Sequence, residues 1–88
     1  MPPRILSPRT GVRYSLRAAG LGNDRIAFTA IADADTTTLS WFLDEEFLGR
    51  PPAREAFFWQ AVPGNFTFRA VDEHGRADIQ EIRVVVVR

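Results

Sequence analysis

Trp41-Phe42-Leu43-Asp44, followed closely by Phe47-Leu48-Gly49-Arg50, is the stretch on which the fold turns: two short apolar runs separated by the acidic tip Asp44-Glu45-Glu46. Each run is too short for a helix and alternates in the manner of a strand, so the pair reads as a β-hairpin. Leu39, Trp41 and Leu43 share one parity and Ser40 and Phe42 the other, which turns Trp41 and its two leucines toward a core. The tip lacks the glycine or asparagine of a tight two-residue turn, which predicts a somewhat longer loop built on a type I turn.

Working outward, the chain supplies similar strands on both sides. Arg25 to Ala32 alternates with Phe28 on the inward parity. Phe66, Phe68 and Ala70 oppose Thr67, Arg69 and Val71. Val12, Tyr14 and Leu16 form one face of an earlier strand, and Met1 to Pro8, with prolines on both sides of the short apolar pair Ile5-Leu6, suits an edge strand because proline cannot donate to a ladder. Loops rich in residues that tolerate positive φ separate them: Ala19 to Asp24, Pro63-Gly64-Asn65 and Asp72 to Arg76. Pro51 and Pro52 mark a linker across one end. Phe57, Phe58 and Trp59 cannot all face one way, so either Phe58 or the Phe57 and Trp59 pair points outward. In the last strand Ile79 is odd whereas Ile82, Val84 and Val86 are even, which predicts a bulge near Gln80. About seven short strands with closely spaced turns make an all-β, immunoglobulin-like antiparallel sandwich, one domain over residues 1–88. Its expected core is Trp41, Phe28, Phe68, Leu39 and Leu43.

Composition narrows the chemistry. With 88 residues, 45% of them hydrophobic, the chain supports one two-layer core, with total stability on the order of 4–13 kcal/mol. Eleven acids balance eleven bases, which argues against nucleic acid as a partner. Every base is arginine, so a P-loop lysine, a Schiff base and a Ser-x-x-Lys site are excluded. There is no cysteine, hence no thiolate nucleophile, disulfide or thiolate metal site. No apolar run resembles a signal segment or a membrane span, so direct membrane insertion is not expected.

The order of these blocks resembles one family. Pro3-Arg4-Ile5-Leu6-Ser7-Pro8 with Gly11 and Tyr14, Trp41-Phe42-Leu43-Asp44 with Leu48-Gly49-Arg50, then Trp59, Pro63-Gly64, Val71-Asp72 and Gly75-Arg76-Ala77-Asp78 look like the C-terminal domain of the penicillin-binding protein 1C family, bifunctional peptidoglycan synthases. The resemblance spans nearly the whole chain. It implies an accessory module excised from a longer chain, following the glycosyltransferase and transpeptidase domains, in the periplasm as part of an inner-membrane-anchored parent. The catalytic serine and lysine of such synthases have no counterpart here. Glu45 stands where related sequences tend to carry glycine.

Few residues suggest a site. Asp44, Glu45 and Glu46, like Asp33 and Asp35, read as solvated loops because no glycine-spaced calcium loop accompanies them; no metal, cofactor or catalytic residue is expected. His74 reads as a surface turn residue whose nearest candidate partners are Asp72 and Asp78. Arg69, Arg76 and Arg83 form either an anion-binding stripe or, with Glu73 and Glu81, a cross-strand charge ladder. Phe42, Phe58, Ile31, Val85 and Val87 all fall on the outward parity. They form the candidate interaction surface, either one sheet face that contacts the transpeptidase domain or a periplasmic protein, or core residues whose parity bulges reverse. Val84 to Val87 is also a candidate apolar edge for strand addition. The rival reading is a peptidoglycan-binding module in which Trp59 and Phe58 stack on glycan.

Overall fold

The structure, a computed structural model, describes residues 1–9, 11, 13–18 and 24–87. The expected inward position of Val12 and the loop from Ala19 to Asn23 lie outside the described residues. Among the described residues there are eight strands: β1 (Arg4–Ser7), β2 (Arg13–Arg17), β3 (Arg25–Ile31), β4 (Leu39–Leu43), β5 (Glu46–Gly49), β6 (Phe57–Gln60), β7 (Gly64–Asp72) and β8 (Ala77–Val87). They form two sheets, one of three strands in the order β1-β3-β6 and one of five in the order β2-β8-β7-β4-β5. The pairs are antiparallel except β2 with β8, which run parallel in unbroken register from Arg13 opposite Arg83 to Arg17 opposite Val87.

The core lies where the inward parities of both sheets meet. Phe28 and Phe68 stack with ring centroids 4.9 Å apart. Trp41 lies 5.3 Å from Phe28 and 6.4 Å from Phe68. These rings and Leu39 are each no more than 1% exposed, whereas Leu43 is only half-buried and packs at the core's margin. Without a disulfide, this cross-sheet stack of aromatics joins the layers.

Pairing settles the ambiguous aromatic run. Trp59 stands opposite Ile26 and Phe57 opposite Phe28, so both turn inward, while Phe58 shares the outward face of Ala27. Trp59 is 9% exposed and packs on Phe28 and Phe66 at 5.9 and 5.2 Å. Gly49 on β5 admits the Phe57 ring: a Cβ there would lie 2.7 Å from Phe57 Cε1.

Three expectations need correction. The β4–β5 connection is a tight two-residue loop, since Leu43 pairs directly with Glu46. Asp44 takes the left-handed conformation that glycine would supply, with φ +52°. Two backbone contacts with β7 hold it there: Asp44 N donates to Thr67 O at 2.5 Å, and Thr67 N donates to Asp44 Oδ1 at 3.0 Å. Second, β8 has no bulge near Gln80, because its pairing with β7 is continuous from Ala77 to Val84; Ile79 simply points outward and is exposed. Third, Val84 lies between β2 and β7 and is no edge, whereas Val85 to Val87 run past the start of β7 and, among the described residues, pair with β2 on one side only.

Candidate interaction surface

The outward apolar residues do not share one face. Ile31 and Phe58, both more than half exposed, belong to the three-stranded sheet. Phe42, Val85 and Val87 belong to the five-stranded sheet. The expectation of a single face therefore fails, because parity tells inside from outside without telling one sheet from the other. Val85 and Phe42 are half-buried, while Val86, expected inward, is exposed at the strand's end.

The densest apolar group on the five-stranded sheet is a straight cross-strand row. Phe47 pairs with Phe42, Phe42 with Arg69, and Arg69 with Ile79, so these four side chains stand side by side across β5, β4, β7 and β8. Phe42 and Phe47 meet edge to face with centroids 5.5 Å apart. The Arg69 guanidinium lies 4.9 Å from the centre of the Phe42 ring, a cation–π distance that covers part of it. Arg50 lies 6.0 Å from Phe47 and is anchored by donating from Nε to Ser40 Oγ at 2.8 Å. The ends of the row remain open, with Phe47 52% and Ile79 56% exposed. The sequence hint was the broken parity at Ile79, which reads as a bulge until the β7 register shows that there is none.

A second cluster, at the end of the sandwich that carries the β7–β8 turn, is polar and densely hydrogen-bonded, with Arg76 Nη2 buried and left without a hydrogen-bond partner. Asp72 is buried at the close of β7. Its carboxylate accepts from His74 N at 2.9 Å, Arg76 N at 2.8 Å and Arg76 Nε at 2.7 Å. Burial pushes the Asp72 carboxyl up, but these hydrogen bonds and the Arg76 charge outweigh it and hold the group below its ordinary 3.8. Arg76 reaches across to Asp33 at 3.2 Å and Asp35 at 3.8 Å. Glu73 accepts from Thr37 N and Thr37 Oγ1 at 2.5 and 2.8 Å, which holds its carboxyl low as well. Hydrogen bonding thus locks the β3–β4 connection onto the β7–β8 turn. Asp72 was missed as a buried acid; its one local signal was an arginine four residues on.

The other candidates separate. The His74 imidazole is half exposed with Nε2 3.7 Å from Asp35, while its backbone N–H is the group that Asp72 holds. Arg69, Arg76 and Arg83 do not converge: Arg69 lies on Phe42, Arg76 is held by Asp72, and Arg83 stands opposite Arg13 and Asn65. Glu81 stands opposite Thr67 on β7, and Glu73 is held by Thr37, so Glu73 and Arg76 do not join a cross-strand charge ladder with Arg69 and Arg83. Among the described residues no group of three or more His, Cys, Asp or Glu is placed to hold a metal ion.

Known structures repeat this architecture. A fibronectin(III)-like module of Clostridium thermocellum CbhA superposes with a TM-score of 0.73 at 21% identity, covering 98% of this chain and 99% of that one. SGBP-B of the Bacteroides ovatus mixed-linkage glucan utilization locus, solved in complex with a mixed-linkage heptasaccharide, matches with a TM-score of 0.59 at 18% identity. That match covers 99% of this chain and 25% of the other. At such identities the likeness shows the fold, a fibronectin III-like member of the immunoglobulin-like sandwiches. No curated protein matches the chain. The model of the penicillin-binding protein C-terminus family matches residues 1–84.

Proposed function

Because this chain belongs to the penicillin-binding protein C-terminus family, we propose that it is a non-catalytic accessory domain of a periplasmic, membrane-anchored peptidoglycan synthase, positioning or regulating the catalytic domains by protein contact. The observation that carries this reading is the in-register row Phe47–Phe42–Arg69–Ile79, whose two ends are large, exposed apolar side chains on a sheet face. Such a row buries aromatic and aliphatic surface around an arginine, a composition favoured in the centres of protein interfaces. The contact belongs to the transpeptidase domain of the parent or to a periplasmic protein beside it.

Glycan stacking on Trp59 and Phe58 has lost its tryptophan to the core, and Phe58 alone makes no platform. The test is binding of the domain to the isolated transpeptidase domain of its parent synthase, measured with and without the paired change Phe47→Ser and Ile79→Ser. A loss of at least tenfold, about 1.4 kcal/mol, with Phe58→Ser neutral, supports the contact. Unchanged binding, or dependence on Phe58 instead, overturns this choice of face.

A further inference from the structure

Strand β2 borders the five-stranded sheet opposite β5, next to β8, and among the described residues no strand covers its outer edge. Leu16 is buried and Tyr14 half-buried, so Arg13, Ser15 and Arg17 point outward, all exposed. The parallel register places Arg83 directly beside Arg13 and Val87 beside Arg17, and Asn65 follows Arg83 on the next strand. Neighbouring strands are about 4.8 Å apart, and like charges held directly opposite destabilise a sheet.

Among the described residues no ion pair joins a carboxylate to Arg13, Arg17 or Arg83, although Glu81 lines a concavity with Arg13 and Arg83, and Asp24 one with Arg17. The ion pairs among the described residues lie at the opposite end of the sandwich, on Asp33, Asp35 and Asp72. Glu81, two residues before Arg83, has an interaction of its own. It lines, with Arg13, Arg83, Asn65 and Thr67, an open concavity of about 590 Å³. A chain neutral overall thus carries a cationic strand edge, a local field that net charge conceals.

Bare backbone at the edge and guanidinium groups outside any described ion pair beside it are complementary to one kind of partner. We propose that β2 accepts an extended acidic segment of another protein, which adds to the sheet as a further strand and sets carboxylates against the Arg13–Arg83 pair and against Arg17. Arg13 and Arg17 are four residues apart on one strand face, so the matching acids are also four residues apart, roughly 13 Å. A small polar residue fits between them, opposite Ser15. Backbone pairing supplies affinity and the alternate side chains supply selectivity, while arginine suits carboxylates because it binds them through two parallel hydrogen bonds. An anionic lipid surface offers charge without a backbone ladder and does not reach into the concavity beside Asn65. This contact lies on the border opposite β5 and is independent of the proposed contact through Phe47 and Ile79.

The probe is a threonine-rich peptide of about nine residues with glutamates four positions apart, titrated while backbone amides are followed by nuclear magnetic resonance. Expected are shifts and slowed hydrogen exchange along Arg13 to Arg17, affinity that falls with added salt, and a loss of about tenfold on combining Arg13→Gln with Arg83→Gln. Both positions are exposed, so the fold is kept, as unchanged tryptophan emission verifies; Arg17→Gln alone serves as a second variant with a smaller loss. Phe47→Ser leaves the titration unchanged. Equal binding of a peptide with glutamine in place of glutamate, protection confined to β5 or β6, or arginine-dependent binding to phosphatidylglycerol vesicles without peptide binding would each overturn the proposal.

Discussion

Trp41 and Asp72 show how unequal single residues are in this domain. Trp41 is 1% exposed and touches the aromatic rings that join the two sheets, so Trp41→Ala should cost about 3–5 kcal/mol, a large part of the total. Urea denaturation should find the variant largely unfolded or shifted by that amount. Asp72 acts through charge. Its folded pKa is depressed below 3.8, so its stabilisation is complete above that value and is lost as pH falls through the lower, folded one. Glu73, held below 4.5 by Thr37, adds to the same acid limb. Thermal midpoints recorded against pH should therefore decline in acid, and Asp72→Asn should lower the neutral plateau and flatten that decline. The first residue was legible from alternation because burial of a large ring follows parity. The second was not, because a carboxylate's burial depends on donors that only the closed turn brings to it.

Turns and strands depart from sequence expectation where pairing partners lie far apart in the chain. That Asp44-Glu45 would be a loop was evident, but its length was not, since the Thr67 contacts that hold Asp44 at positive φ come from β7. Asp44→Asn, which also tolerates the left-handed region, should be nearly neutral. Asp44→Val should lose about 1–2 kcal/mol to backbone strain and further stability with the Thr67 bond, as differential scanning calorimetry can measure. Gly75, at φ +82° with open space where a Cβ would stand, isolates the strain: Gly75→Ala should cost about 1–2 kcal/mol without disturbing packing. The last strand was identified by its valines. Its central place in the sheet was invisible, because the partner β2 lies some seventy residues earlier and strand order is not encoded locally.

At the scale of the whole molecule, both tryptophans pack on the same Phe28, so the domain should unfold as one unit. Trp41→Phe and Trp59→Phe variants, each reporting through the remaining tryptophan, should both emit at short wavelength, and in each, emission and far-ultraviolet dichroism should lose structure at the same denaturant concentration. Separate transitions within one variant would mean that the sheets melt independently. The sandwich class and its core were legible because they follow from alternation, whereas the distribution of outward residues between two sheets required the topology. That topology has a mechanical side. Strand β2, near the beginning of the chain, and β8, at its end, lie side by side and point the same way. A pull that separates the two ends would load all the hydrogen bonds of that ladder together in shear instead of opening them one by one. Such a domain would resist stretching most strongly along the direction in which these two strands leave it.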